Sequence, residues 1–291
     1  MKLSLTLSLL CISLSSLHAA NAKNAGANDQ LSTYSKADSA EIVSLLKNGE
    51  ASTLYYAEKL LGRPYVAHTL EVNSEEKLVV NLRQLDCTTL VENVVALTLC
   101  AQEGKESFAD FCDMLQQIRY RQGIIDRYPS RLHYFSDWII DNTKMGFVTE
   151  INKSADPFTA IQKLKINYMS RHVKSYDALR LYPEFIKEIL LQEIALNGKK
   201  YPYIPKSKVK NVPSLRSIIQ DGDIIAITCS KPGLDIAHLG FAVWREDGLH
   251  LLNASQLHKK VVIEPMTLGQ YLSKHPSHTG IRIIRINHNK K

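Results

Sequence analysis

The apolar positions of this chain change period part-way along it. In the first half they recur at helical spacing. Asp38, with Glu41 three residues on and Ile42, Leu45 and Leu46 behind it, reads as an N-cap opening a helix. "TLYYAEKLLG" repeats the pattern and stops at Gly62, and "RPY" predicts a turn or extended piece at Pro64. "KLVVNL" predicts a short strand. "QLDCTTLVENVVAL" (84–97) opens a helix running to about Leu99, with Leu90, Val91, Val94 and Val95 as its apolar stripe. "SFADFCDMLQQIRY" continues the helical half. The C-terminal third reads at a different period. "DIIAIT", "AHLGFAVW", "LHLLNA", "KKVVIEP" and "GIRIIRIN" are short, β-branched-rich runs divided by Gly, Pro and Asp. "EDG" (246–248) marks a tight hairpin. Helices first and strands later predict an α+β fold rather than alternating βαβ units.

The residues before Asp38 follow neither pattern. Lys2, the apolar run Leu3 to Leu17 and the small residues of "HAANA" form a signal peptide over 1–22. The run is shorter than the roughly 20 apolar residues of a membrane span. Lipidation at Cys11 is not expected, because bulky Leu10 precedes it inside the apolar run. The chain is expected to be exported to the periplasm or secreted, without stable membrane insertion after cleavage. Residues 23–36, "AKNAGANDQLSTYS", read as a flexible leader, and 37–291 as a single domain. The net charge of +7 is spread along the chain. It fits solubility and weak attraction to anionic envelope polymers, and an exported chain is no candidate for nucleic-acid binding.

Cys87 follows Asp86 where the third helix begins. Core filling, a disulfide, metal ligation and nucleophilic attack are all open readings of that thiol. Cys100 and Cys112 fall in helical patterns and read as buried small apolar residues; Cys229 is the fourth cysteine of the mature chain. No two cysteines are spaced as CxxC. Asp86 is a good N-cap, so Cys87 sits at a helix start, where free N–H groups and the macrodipole favour a thiolate and an oxyanion. His238 heads an alternating strand among apolar and small neighbours, and Asn253 closes the next strand. A hairpin through "REDG" returns Asn253 beside His238, where a carboxamide can fix the imidazole tautomer. A two-residue turn at Asp247-Gly248 would instead pair His238 near Leu257, so the register stays open. His250 and His258 are weaker candidates. HExxH, GxSxG, GxGxxG and phosphate-loop patterns are absent from the sequence, so no metal and no cofactor is expected.

"LGRPY" (61–65), "LDC" and "DGDIIAI…HLGFAVW…LLNAS", in this order, resemble the NlpC-type papain-like bacterial cell-wall cysteine hydrolases. "LDCTTLVEN", "YRQG", "YPSRLHYFSDW", "YIPK" and "GLDIAHLG" are similar to the branch described as N-acetylmuramoyl-L-alanine amidase-like. Thr88 and Thr89 depart from the small Ser-Gly pair usual after the nucleophile, and Asn253 stands where many of that branch carry His. The resemblance implies a papain-like α+β fold with its nucleophile at a helix N-terminus packed on an antiparallel sheet. It implies Cys87 as nucleophile, His238 as base and Asn253 as orienting residue. The substrate implied is peptidoglycan or a muropeptide, cut between the lactyl group of muramic acid and L-alanine. A region inserted around 112–200 is expected to bind substrate. Asp86, Tyr65, Tyr120, Arg121, Ser130, Arg131, His133 and Tyr134 are the candidate contacts, since Arg can clamp a carboxylate and aromatic rings can cover a sugar face. The alternatives are a stem-peptide endopeptidase and a non-catalytic envelope-binding module.

Overall fold

The computed structural model describes residues 32–153, 155–210 and 213–288. The expected signal peptide and most of the expected leader lie outside the described residues. The leader's last residues are built into the domain. Strand β1 (Ser32–Thr33) pairs in parallel with β2 (Leu78–Val79). Helix α1 (Lys36–Asn48) starts earlier than expected, because Ser35 rather than Asp38 is its N-cap and accepts the Asp38 N–H at 3.1 Å. Asp38 is buried instead. Its carboxylate accepts the Leu82 N–H at 3.1 Å and pairs with Arg83, which ties α1 to the stretch leading into Cys87.

The remaining helices are α2 (Thr53–Lys59), α3 (Cys87–Gln102), α4 (Phe108–Arg119), α5 (Phe135–Lys144), α6 (Glu184–Leu196) and α7 (Leu268–Lys274). Shorter helical turns lie between them. The main sheet is antiparallel. Its strands are β3 (Val148–Ile151), β4 (Ala160–Lys163), β5 (Lys200–Pro205), β6 (Ile224–Cys229), β7 (Ile236–Arg245), β8 (Gly248–Ser255), β9 (Lys260–Ile263) and β10 (His278–Ile286). They run in the order β4-β5-β10-β6-β7-β8-β9, with β3 also on β10. The five C-terminal runs read from alternation are thus β6 to β10.

From Thr89 to Cys100 every residue of α3 is buried, so the amphipathic stripe expected there is a helix covered all round. Val91, Val94 and Val95 share one core with Phe241, Leu252 and Val261 of the sheet and with Phe111, Leu115, Ile118 and Trp138 of α4 and α5. Each such side chain contributes about 1.5–3 kcal/mol on burial. The other face of the sheet packs Ile225, Ile227, Leu251 and Ile281 against Leu268 and Leu272 of α7. The segment expected to be an insert is woven through the domain. Cys112, Met114, Leu115, Ile118 and Trp138 belong to the main core, and β3, β4 and β5 widen the sheet. A smaller core of Tyr128, Tyr134, Leu164, Met169, Phe185 and Ile189 forms a lobe of its own.

The "LGRPY" stretch is extended, as "RPY" requires. Gly62 N–H donates to Val261 O and Tyr65 N–H to Lys259 O, both at 2.9 Å, so it lengthens the sheet beside β9. On its other side Leu85 N–H donates to Pro64 O at 3.0 Å and Val66 N–H to Leu85 O at 3.1 Å. This strip therefore fixes the residue two before Cys87 against the edge of the sheet.

Candidate active site

Asp86 caps α3 through a reciprocal box. Its carboxylate accepts the Thr89 N–H at 2.8 Å, and its own N–H donates to Thr89 Oγ1 at 2.9 Å. Thr89 therefore has a structural task at the helix start. Cys87 is the first helical residue and is partly exposed. The Leu239 backbone and the Thr88 side chain act on the sulfur to favour its charged form, which sets the sulfur near the residue that follows His238 on β7.

His238 lies where the β6–β7 ladder slips. Ile227 pairs with His238, but Thr228 pairs with Ile236, so a bulge bends β7 at this point. Bulges of this kind re-aim side chains beside reactive sites. On the other edge, Arg245 pairs with Gly248 across a loop of Glu246 and Asp247, and Phe241 pairs with Leu252. Continuing that register puts position 238 opposite Ser255, with Asn253 as its diagonal neighbour. The hairpin expected at "EDG" is present, and the open register is resolved in favour of a diagonal contact. Across it, His238 Nε2 lies 2.9 Å from Asn253 Oδ1. A carbonyl oxygen only accepts, so Nε2 carries the proton and Nδ1 holds the free lone pair. Asn253 is fully buried.

Cys87 and His238 line one cleft of 170 Å³, with Thr88, His133, Tyr134, Tyr176 and Asp235 among its walls. The cleft meets a second cavity at Thr88 and His133, which Asp86, Glu71 and Arg131 also line. That cavity continues at Leu70, Glu71 and Arg131 into a third of 510 Å³, bounded by Tyr128, Tyr182 and Phe185.

A model of the AmiA-like family, described as N-acetylmuramoyl-L-alanine amidase-like, matches residues 55–281. This chain belongs to that family. An N-acetylmuramoyl-L-alanine amidase from Bacteroides uniformis is 42% identical; the match covers 82% of this chain and 100% of that one, with a TM-score of 0.76. A Bacteroides fragilis protein, named provisionally as a xylanase, is also 42% identical, over 79% of this chain and 99% of that one, with a TM-score of 0.74. A Legionella pneumophila protein is 25% identical over 84% and 92%, with a TM-score of 0.64. Comparison with curated proteins gives no match. The AmiA-like chain is thus an amidase-like hydrolase of the peptidoglycan-directed kind.

Electrostatics in this amidase-like site differ from the sequence expectation in one respect. Burial, and then the Asp86 charge, push the Cys87 thiol up to about 12, against the opposing effects of the Leu239 backbone and the Thr88 side chain. Desolvation penalises the charged thiolate more than the helix start favours it. Burial also lowers His238, against the Asn253 hydrogen bond and the Glu264 charge, which raise it. Both shifts favour the uncharged forms of the thiol and the imidazole.

The expected contact residues divide into two groups. His133 and Tyr134 line the Cys87 cleft, and Asp86 and Arg131 line the cavity that adjoins it. Burial and then Arg131 hold His133 down at about 3, and its Nε2 lies 2.9 Å from Tyr128 O. Tyr134 builds the wall, its hydroxyl accepting the Met169 N–H at 2.9 Å and donating to Glu193 at 2.7 Å. Arg131 is paired with Glu76 and Glu71 and lies over the Tyr128 ring. Tyr65 is half-buried; burial and then the nearby Cys87 and Asp86 raise its phenol. Tyr120, Arg121 and Ser130 are not brought to the Cys87 cleft. Tyr120 is buried with its hydroxyl on Glu76 at 2.8 Å, because it closes α4 on the apolar side. Arg121 is tied to Asp137, and Ser130 Oγ donates to Arg127 O at 2.7 Å inside a helical turn. Glu264 and Asp235 border the site without having been singled out by the sequence, which offers no motif around either.

Proposed function

We propose that this chain is an exported cysteine amidase of papain-like, NlpC-type architecture that cleaves the N-acetylmuramoyl-L-alanine amide of peptidoglycan fragments. The observation that carries this reading is the shared cleft of Cys87 and His238, with Asn253 bonded to the imidazole Nε2. Family membership and the amidase from Bacteroides uniformis supply the substrate class. Export rests on the signal pattern over 1–22.

In the proposed reaction Nδ1 of His238 takes the Cys87 proton as sulfur attacks the lactyl carbonyl. The shift of both groups towards their uncharged forms suits this order, since the thiolate then forms only as it is consumed. The Cys87 and Thr88 N–H groups at the start of α3 hold the oxyanion. The carbon–nitrogen bond breaks as His238 returns the proton to the departing L-alanine nitrogen. Water then attacks the thioester, His238 takes its proton, and sulfur is released from the lactyl group and reprotonated. A glycosidase reading, suggested by the provisional xylanase name, needs two carboxylates flanking the bond. The one carboxylate on the Cys87 cleft, Asp235, is buried and accepts the Ser136 N–H at 2.6 Å.

Product mapping by mass spectrometry on defined muropeptides tests the proposal, with wild type beside Cys87→Ala. Free stem peptide with an unblocked L-alanine is expected from wild type and none from the variant. Sugar that retains L-Ala-D-Glu would mark an endopeptidase instead, and glycan binding without turnover a binding module.

A further inference from the structure

Asn253 can place its Oδ1 on His238 only if its amide is held one way round. The two ends of a carboxamide are nearly the same size, so an unconstrained Asn could equally offer its NH2 group. Glu264, just after β9, removes that freedom. Its side chain is almost fully buried, and its Oε1 lies 3.0 Å from Asn253 Nδ2. A carboxylate oxygen accepts, so the NH2 end of Asn253 faces it and Oδ1 faces His238, and Leu251 O, 3.4 Å from Nδ2, acts in the same sense at longer range. Glu264 is itself held at three further points. His258 Nε2 stands 3.1 Å from its Oε2, His250 Nδ1 bonds its carbonyl at 2.8 Å, and its N–H donates to Leu251 O at 2.8 Å.

We infer that Glu264 is a positioning residue for the reaction: it locks the Asn253 carboxamide so that His238 bears its proton on Nε2 and keeps Nδ1 free to accept the thiol proton. The inference rests on the Cys87–His238 reading proposed above. The buried row is His238, Asn253, Glu264 and His258, and its last member is half-exposed, so the lock is anchored from the surface of the molecule. The titratable groups facing His238 are Glu264, Asp86 at the start of α3, His275 at the end of α7 and His278 on β10. Of these, Glu264 alone is joined to the imidazole through a hydrogen-bonded side chain.

The test compares wild type with Glu264→Leu and Glu264→Gln. Glu264→Leu leaves Nδ2 only the longer contact to Leu251 O at 3.4 Å, and kcat should fall roughly 10- to 100-fold, as for other groups that orient a catalytic ligand, with KM changed less than about twofold. Glu264→Gln keeps an acceptor for Nδ2 but loses the charge. It should retain most of kcat while the acidic limb of kcat/KM moves to lower pH. Nitrogen-15 NMR of His238 reads the tautomer directly and without substrate: Nε2–H in wild type and Glu264→Gln, a mixture in Glu264→Leu. An unchanged tautomer in a folded Glu264→Leu variant overturns the inference even if the amidase reading stands. If Glu264→Leu does not fold, an acidic limb of kcat/KM that stays in place in Glu264→Gln overturns it. Should wild type prove inactive on muropeptides, the NMR result still decides on Glu264, so the two failures are separable.

Discussion

At Cys87 two neighbours pull in opposite directions. The start of α3, the Leu239 backbone and the Thr88 side chain favour the thiolate, while burial and the Asp86 carboxylate disfavour it and prevail. The thiol should accordingly alkylate slowly. Iodoacetamide kinetics followed by mass spectrometry should give Cys87 an apparent pKa above the roughly 8.5 of a free cysteine. Asp86→Asn keeps a side-chain oxygen for the Thr89 N–H, so α3 remains capped, but removes the charge. Its alkylation should be faster at neutral pH and its apparent pKa lower. An equal or higher pKa in that variant would show that Asp86 does not act on the sulfur. The sequence singles out Cys87, His238 and Asn253 by marked places – a capped helix start, the head of an alternating strand and the end of the next – together with the resemblance, and the fold brings Cys87 and His238 to one cleft and Asn253 onto His238. Glu264 was not legible. It closes a strand before a proline, as many surface acids do, and only the folded chain brings it against Asn253.

The site depends on the β7–β8 hairpin as much as on its side chains. Gly240 stands between His238 and the regular ladder, and a Cβ there would meet Leu252 O at 2.5 Å and a Leu251 methyl at 2.8 Å. Gly240→Ala should cost about 1–3 kcal/mol by overpacking and reduce turnover, because the strand must shift along the contact that joins His238 to Asn253. Denaturant titration and kcat would together check this; unchanged values would mean that the hairpin has slack. Beneath the cleft, Glu92 of α3 and Arg119 of α4 form a buried pair 2.6 Å apart, and Arg119 also donates to Val79 O. Removing one partner strands the other charge, so Arg119→Ala should lose about 3–5 kcal/mol in chemical denaturation. A loss under 1 kcal/mol would show that water reaches Glu92. Strand alternation made β6 to β10 readable because both faces of these strands are sorted between α3 and α7. Strands β3, β4 and β5 lack such a pattern. β4 and β5 lie at the outer edge of the sheet, with few buried positions to impose a period of two.

At the scale of the whole molecule, burial favours the neutral form of three imidazoles among the described residues. His133 lies at about 3, His278 at about 4, and His238 below its ordinary value. In the unfolded chain they would take up protons below about 6.5. The unfolded state then binds more protons, so the stability these groups contribute is complete above pH 6.5 and is lost as pH falls towards 4. Melting temperature should fall through that window, and less steeply in His278→Gln; identical slopes would remove His278 from the account. The helical half, the strand half and their order were legible from periodicity. The weaving of 112–200 into the same domain was not, because no local pattern states that β3 will pair with β10 or that Trp138 will reach the core of α3. The claim on which the functional account stands is a covalent bond from Cys87 to the muramoyl lactyl group. Acid-quenched digestion mixtures, analysed by peptide mass spectrometry, address it directly. The account predicts a muramoyl thioester on the Cys87 peptide during turnover and neither adduct nor turnover in Cys87→Ala. Undiminished muropeptide cleavage by Cys87→Ala would contradict it.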